Sequence, residues 1–292
     1  MINKTIKTTT PNDISELLSQ ISDPPKSLRI QGEFPRAEGM KYLCVVGSRK
    51  YSDYGKAVCE HLITGLRGYP ICIISGLALG MDGIAHRSAL SAGLKTVAVP
   101  GSGLSDKVLY PSTHHGLRDQ ILEVGGCMLS EFEDDFRATP YSFPQRNRIM
   151  AGLAHATLII EAELKSGTLI TSKYATEYNR DVFTVPHSIF SPTSEGPHML
   201  LRLGATPITK PEDILDAFGF IQSGLFADGK VARDYSDCSE DELLVVKLLS
   251  QPTSRDEIIR SLDKPIHIVQ TILSIMEIKG LIKEEMGEIR LI

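Results

Sequence analysis

The sequence is poor in the features that announce the commonest chemistries. Its five cysteines (Cys44, Cys59, Cys72, Cys127 and Cys238) are scattered, with no CxxC pair. That argues against a disulfide framework and against a zinc site, and fits a reducing compartment. Positive charge is not in excess. Lys and Arg number 31 against 36 Asp and Glu, a net charge of −5, so any nucleic-acid surface has to be a local patch. No apolar run approaches membrane-spanning length, and the first residues, MINKTIKTTTPND, hold no apolar signal core. A cytoplasmic protein with no membrane partner is expected. The dinucleotide fingerprint GxGxxG and the P-loop GxxxxGK[ST] are both absent, as are a nucleophile elbow, HExxH and the kinase signatures. No cofactor, metal or catalytic residue is assigned.

A rhythm is present instead. From Lys41 short apolar runs, several ending in glycine or proline, alternate with stretches of helical spacing: YLCVVG, ICIISG, TVAVPG, CMLSEF, TLIIEA and VFTVP. Continuous apolar strands alternating with helices predict a doubly wound α/β domain, a mostly parallel sheet covered on both faces, over residues 41–218. Such folds bind ligands outside the carboxyl ends of the strands, where these glycines lie. Residues 1–40, broken by four prolines, read as an arm with one short helix over 13–21 and a strand-like piece over 27–31. Residues 219–238 read as a linker. Residues 239–292 read as three helices and a short hairpin, the layout of a winged helix.

Four loops concentrate the candidate chemistry. Gly47-Ser48-Arg49 follows a buried strand, and backbone N–H groups at such a turn form an anion site to which Arg49 adds forked donors. The run from Ser75 to Gly83 carries Gly76 and Gly80, which allow close backbone approach; Asp82 there is expected to cap the next helix, and His86 to be a packing or surface residue. The loop Pro100–Leu104 ends the third strand. The block Phe143–Thr171 places Phe143, Arg146, Asn147 and Arg148 before an apolar helical run, then a strand, then the small loop Ser166-Gly167-Thr168. An aromatic beside cations suits stacking a base while gripping its backbone. Arg146 and Arg148 lie two apart and cannot share a helix face, so one is expected to face a phosphate while the other holds the loop.

Taken together these residues resemble the DNA-processing protein A family (DprA/Smf). The matching stretches are VVGSRKYSDYG, SGLALGMDGIAH, VPGSGLSDKVLYP, SEF, FPQRNRIMAGL, IIEAELKSGTLIT and the run from Arg180 to Pro186, in the family's order. The resemblance implies an extended Rossmann-like fold and a dimeric, non-enzymatic recombination mediator. Such a protein binds and protects single-stranded DNA, loads the RecA recombinase and serves natural transformation. It also implies that Gly47, Ser48, Arg49, Ser75, Gly76, Phe143, Arg146, Asn147, Arg148, Ser166, Gly167 and Thr168 line the DNA site. The chain departs from the family's pattern at His114, at His187 and over Ser191–His198, where a pocket wall could change.

A rival from another class is a nucleotide phosphoribohydrolase of the lysine-decarboxylase-like type. Its Pro-Gly-Gly-x-Gly-Thr loop is only partly echoed by Lys165-Ser166-Gly167-Thr168, but Glu161, Glu163 and Glu177 are near enough to supply a carboxylate. The winged-helix-like tail is acidic, and its third helix offers only His267, Gln270 and Lys279 for DNA contact. A protein-binding role is expected for it.

Overall fold

The computed structural model describes residues 4–221, 238–249, 253–262, 264–285 and 287–291. Of the expected linker, 219–238, all but residues 219–221 and 238 lie outside them. The chain divides into two units, Met1–Leu225 and Phe226–Ile292.

The first unit is built on a nine-stranded sheet. Its strands are β1 (Ile6–Thr9), β2 (Leu28–Gly32), β3 (Lys41–Val46), β4 (Ile71–Ser75), β5 (Lys95–Ala98), β6 (Cys127–Ser130), β7 (Ala156–Ile159), β8 (Asp181–Thr184) and β9 (Thr206–Pro207). The order across the sheet is β1-β2-β6-β5-β4-β3-β7-β8-β9. From β3 to β6 the chain winds one way, then it returns to the other side of β3 for β7. Strands β3 to β9 pair in parallel. The sequence of β3 shows how both faces are filled. Leu43 and Val45 enter the core beneath α3 (Asp53–Thr64) and α4 (Met81–Ser91), while Tyr42, Cys44 and Val46 enter the one beneath α6 (Ser142–Leu153). The other helices are α5 (His115–Glu123), α7 (Thr168–Glu177), α8 (Glu195–Arg202) and α9 (Pro211–Ala217). The doubly wound, mostly parallel sheet is as expected.

The N-terminal segment is more than an arm. β2 pairs antiparallel with β6 and β1 with β2, extending the sheet beyond its parallel part. The expected helix over 13–21 is two short ones, α1 (Pro11–Ile14) and α2 (Glu16–Ser19), because Ser15 between them is extended. Leu18 and Ile21 then pack onto Gly152 of α6, where a Cβ would meet both.

The second unit has α10 (Glu240–Leu248), β10 (Thr253–Ser254), α11 (Arg255–Ser261), α12 (Ile266–Ile278), β11 (Ile282–Glu285) and β12 (Glu288–Leu291). Three helices and a small sheet, ordered β10-β12-β11, enclose a separate core that includes Val245, Ile258, Val269, Leu273, Met276 and Ile289. Ion pairs Lys264–Asp241 and Lys279–Glu242, at 2.8 and 2.7 Å, tie its helices together.

Candidate nucleic-acid interface

The strand order reverses between β3 and β7. At such a switch point the loops leaving neighbouring strands diverge to opposite faces and leave a crevice. A cavity of about 390 Å³ lies there. One side is the loop after β3, residues Gly47 to Lys50; the other is the Glu163–Thr168 segment and the start of α7. Phe143, Pro144, Arg146, Asn147 and Met150 of α6 and Ala78 and Asp82 of the β4–α4 connection complete it.

The two sides are bonded to one another. Thr168 donates its hydroxyl to the Gly47 carbonyl at 3.1 Å, and its own N–H reaches the Ser166 hydroxyl at 3.2 Å. The Ser48 hydroxyl holds its turn, donating to the Lys50 carbonyl at 2.8 Å and accepting the Lys50 N–H at 3.0 Å. Ser48 also accepts the Met81 N–H at 3.2 Å. Among the described residues the N–H groups of Ser48, Arg49 and Gly167 have no internal acceptor. These are donors available to an anion. Gly80 makes the close approach possible: at φ +84° it lies under Arg49, and a Cβ there would stand 2.6 Å from Arg49 Cα.

Arg49 and Lys50 are exposed and form no ion pair among the described residues. The Arg49 guanidinium sits 4.9 Å from the centre of the Phe143 ring, close enough for a cation–π contact. Phe143 is half-buried, and the Tyr110 ring is tilted at 59° to it with the centroids 5.7 Å apart. It is therefore a cavity residue, not a core one.

The arginines of α6 part company, as their helical offset demands, and they lie within the helix instead of in a turn before it. Arg146 is 4% exposed. Its Nη1 donates to the carbonyls of Gly76 and Val99, and its Nε to Asn147 Oδ1 at 3.1 Å. Nη2 has no acceptor among the described residues. Asn147 sits inside the helix and does not cap it; its Nδ2 donates to the Gly167 carbonyl at 3.2 Å. Arg148 does not reach the cavity. It pairs with Glu131 at 2.7 Å and Asp23 at 3.1 Å, fastening the N-terminal segment to the end of β6. Ser75 and Gly76 are also set back: the Ser75 hydroxyl donates to the Val45 carbonyl at 2.7 Å, and Gly76 contributes its carbonyl to Arg146.

Asp82, expected as a helix cap, is a cavity residue; Gly80 holds the cap position. Its Oδ2 accepts the Ala78 N–H at 3.3 Å. Burial leaves the Asp82 carboxyl raised, with the Arg146 charge offsetting only part of the rise. Lys50 and Glu163 also line the cavity without having been singled out for it. Their only signal is adjacency to the Gly47–Arg49 and Ser166–Thr168 loops.

Of the three carboxylates considered for base cleavage, Glu163 lines the cavity and the other two are engaged elsewhere. Glu161 is fully buried and accepts the Ser52 N–H at 3.0 Å, the Ser52 hydroxyl and the Thr193 hydroxyl at 3.0 Å. Glu177 ends α7 and faces Lys173 at 3.6 Å. His86 and the departures from the family's pattern also find places. His86 packs its Nδ1 2.7 Å from Thr96 Oγ1, and burial lowers it to about pKa 3. His114 Nδ1 lies 2.8 Å from the Leu77 carbonyl, and His187 Nε2 2.6 Å from that of Ile160. Ser191–His198 becomes a helical turn and the start of α8, none of it lining the cavity. No group of side chains suited to a metal ion occurs among the described residues, and no helix among them is long and apolar enough to cross a membrane.

The DNA recombination-mediator protein A family model matches residues 5–219, the whole of the nine-stranded unit. The chain belongs to that family. It is 43% identical over 203 residues to protein Smf of Escherichia coli, covering 68% of this chain and 52% of that one. To the DNA processing protein DprA of Streptococcus pneumoniae it is 41% identical over 203 residues, covering 70% of each. The chain thus spans about half the length of the E. coli relative. Among solved structures, the S. pneumoniae DprA superposes with a TM-score of 0.65 at 36% identity, covering 73% of this chain and 75% of that one. A Helicobacter pylori DNA processing protein A, described for its single-stranded DNA binding mode, also reaches 0.65, at 28% identity over 74% of this chain and 96% of that one.

Proposed function

We propose that this chain binds single-stranded DNA without strong sequence preference, through the cavity at the β3–β7 switch point. Arg49, Lys50 and the free N–H groups of Ser48, Arg49 and Gly167 take phosphate, and Phe143 offers a face on which a base can stack. The observation that carries the reading is that Arg49 stands exposed over an aromatic ring and, among the described residues, has no carboxylate at ion-pair distance, beside backbone donors with no acceptor there. Its relatives' names and the H. pylori structure support the same reading. Arg146 serves mainly to hold the walls of the site, and Arg148, Ser75 and Gly76 support it from behind.

As a recombination mediator of this kind the protein is a non-catalytic homodimer of the cytoplasm that protects incoming single strands and helps load RecA during DNA uptake. The acidic second unit contacts protein, since the Lys279 ammonium of its third helix is held by Glu242. The base-cleaving alternative keeps one carboxylate in the cavity, Glu163, but Glu161 is buried beneath Ser52 and Thr193, and the Lys165–Thr168 loop lacks the double glycine of those enzymes.

The test is a gel shift with single-stranded and duplex DNA over a salt series. Wild type should prefer the single strand, weaken with salt, and lose most affinity in Arg49→Ala. Equal binding by wild type and Arg49→Ala would remove the proposed site. Release of free base from nucleoside monophosphates would restore the enzymatic alternative. Removing residues after 238 should leave single-strand affinity within about threefold, because that unit presents no clustered cations.

A further inference from the structure

A second concavity, of about 470 Å³, opens where the phosphate-facing loop ends. Tyr51, directly after Lys50, stands at its head, 44% exposed. Beyond it the walls are helices. On α4 the lining residues Ile84, Arg87, Ser88 and Ser91 are spaced three, four and seven apart, which is one helix face; on α3 Lys56, Glu60 and Thr64 follow at intervals of four. Both rows lead away from the Gly47–Lys50 loop. α3 begins at Asp53, just past that loop, and α4 begins at Met81, whose N–H is bonded to the Ser48 carbonyl. At the helical rise of about 1.5 Å per residue, the stretch from Ile84 to Ser91 covers roughly 10 Å.

The charges along this groove are not required by the fold. Lys56 and Arg87 are both exposed, and Arg87 has no ion-pair partner among the described residues. The one carboxylate in the lining, Glu60, is 3.9 Å from Lys56, with both side chains about half exposed, a pairing of little strength. Arg67 donates to the Ser91 carbonyl at 3.0 Å and so brings a further cation to the far end. The groove thus holds two cations, Lys56 and Arg87, and one carboxylate, Glu60, with Arg67 bonded to its last lining residue, Ser91, and the Tyr51 ring next in the chain to Lys50.

We propose that the α3–α4 groove is a track for the DNA strand as it leaves the pocket, with Lys56 and Arg87 meeting successive phosphates and Tyr51 stacking the base at the turn. The inference rests on the proposed function and extends it from a single pocket to a path. A single-stranded phosphodiester chain fits better than an acidic peptide, because the groove continues a phosphate site and passes an exposed ring at the join.

The track makes the effect of groove substitutions depend on strand length, which a pocket alone does not. Two oligothymidylates, of about 6 and about 25 nucleotides, would be titrated by fluorescence anisotropy over a salt series against the full chain. In the double variant Lys56→Ala/Arg87→Ala the short oligomer should bind within about twofold of wild type, while the long one weakens about tenfold or more and its log–log salt slope falls by about 1.4, two phosphates' worth. Tyr51→Ala should weaken the long oligomer about fivefold or more without changing that slope. An unchanged slope for the long oligomer in the double variant overturns the track and leaves the pocket standing. Loss of both oligomers to the same degree in the double variant also overturns it, since the groove residues would then act through the pocket. Failure of wild type to bind either oligomer removes the pocket reading and the track together. Circular dichroism melts of the variants should match wild type, because the three substituted side chains are exposed.

Discussion

The hydroxyl of Thr168, at the first position of α7, is bonded to the carbonyl of Gly47 at the end of β3, 3.1 Å away and 121 residues apart in sequence. This bond crosses the switch point and sets the distance between the two loops that carry free N–H groups. Replacing Thr168 with Val keeps the shape and removes the bond. The expected result is a stability loss of about 1 kcal/mol and a several-fold loss of single-strand affinity, read by urea denaturation and anisotropy.

Gly80 is the second point where the site depends on one residue. Its φ of +84° and its contact with the backbone of Ser48 and Arg49 leave no room for a Cβ. Gly80→Ala should cost about 1–3 kcal/mol, and it should displace Arg49 and lower single-strand affinity by about tenfold. If a folded Gly80→Ala protein binds as wild type does, the Gly47–Lys50 loop does not hold phosphate.

Arg146 and Arg49 should fail in different ways. Arg146 is buried, with two carbonyls and Asn147 accepting from it and Asp82 facing it across Gly76. Arg146→Met should destabilise the unit by about 3–5 kcal/mol, because it leaves those acceptors and a carboxylate uncompensated. Arg49→Ala should change stability by less than about 0.5 kcal/mol while abolishing most binding. Denaturation curves beside binding curves separate the two roles.

Acid should destabilise the nine-stranded unit through buried histidine. His86 is fully buried and titrates at about 3 in the folded state, against 6.5 for an ordinary histidine; burial also lowers His155, to about 4. Below pH 6.5 the unfolded chain takes up protons that the folded one refuses, so stability falls with pH until the folded values are reached. For His86 alone the loss between pH 7 and pH 5 is about 2 kcal/mol. The raised carboxyl of Asp82 acts in the opposite sense, so the informative quantity is a difference. His86→Gln should flatten the stability–pH curve over this window relative to wild type, and parallel curves would contradict the assignment.

The parallel part of the sheet was legible because its strands are short apolar runs, most of them stopping at a glycine or proline. Burial on both faces writes that pattern into the residues themselves, as Leu43, Cys44, Val45 and Val46 show. The N-terminal strands were harder to see. Ile6–Thr9 reads IKTT, with two of its four side chains exposed, and it is a strand only because β2 offers it a partner. At the site, the loops were legible and the depth was not. Spacing separated Arg146 from Arg148 but could not say which faced inward, since that is set by where α6 lands on β3 and β4. Asp82 looked like a helix cap because its local sequence fits one; its place in the cavity comes from the Gly80 turn, which brings α4 up under Arg49.

The two margins of the large sheet are unlike its middle. At one, β1 presents the polar series Lys7, Thr8 and Thr9; at the other, β9 has only Thr206 and Pro207, and proline has no N–H to offer. Neither rim is a good template for a further strand. Copies of this unit are therefore steered away from joining edge to edge into a continuous ribbon, and self-association is left to side chains on its helical faces and loops.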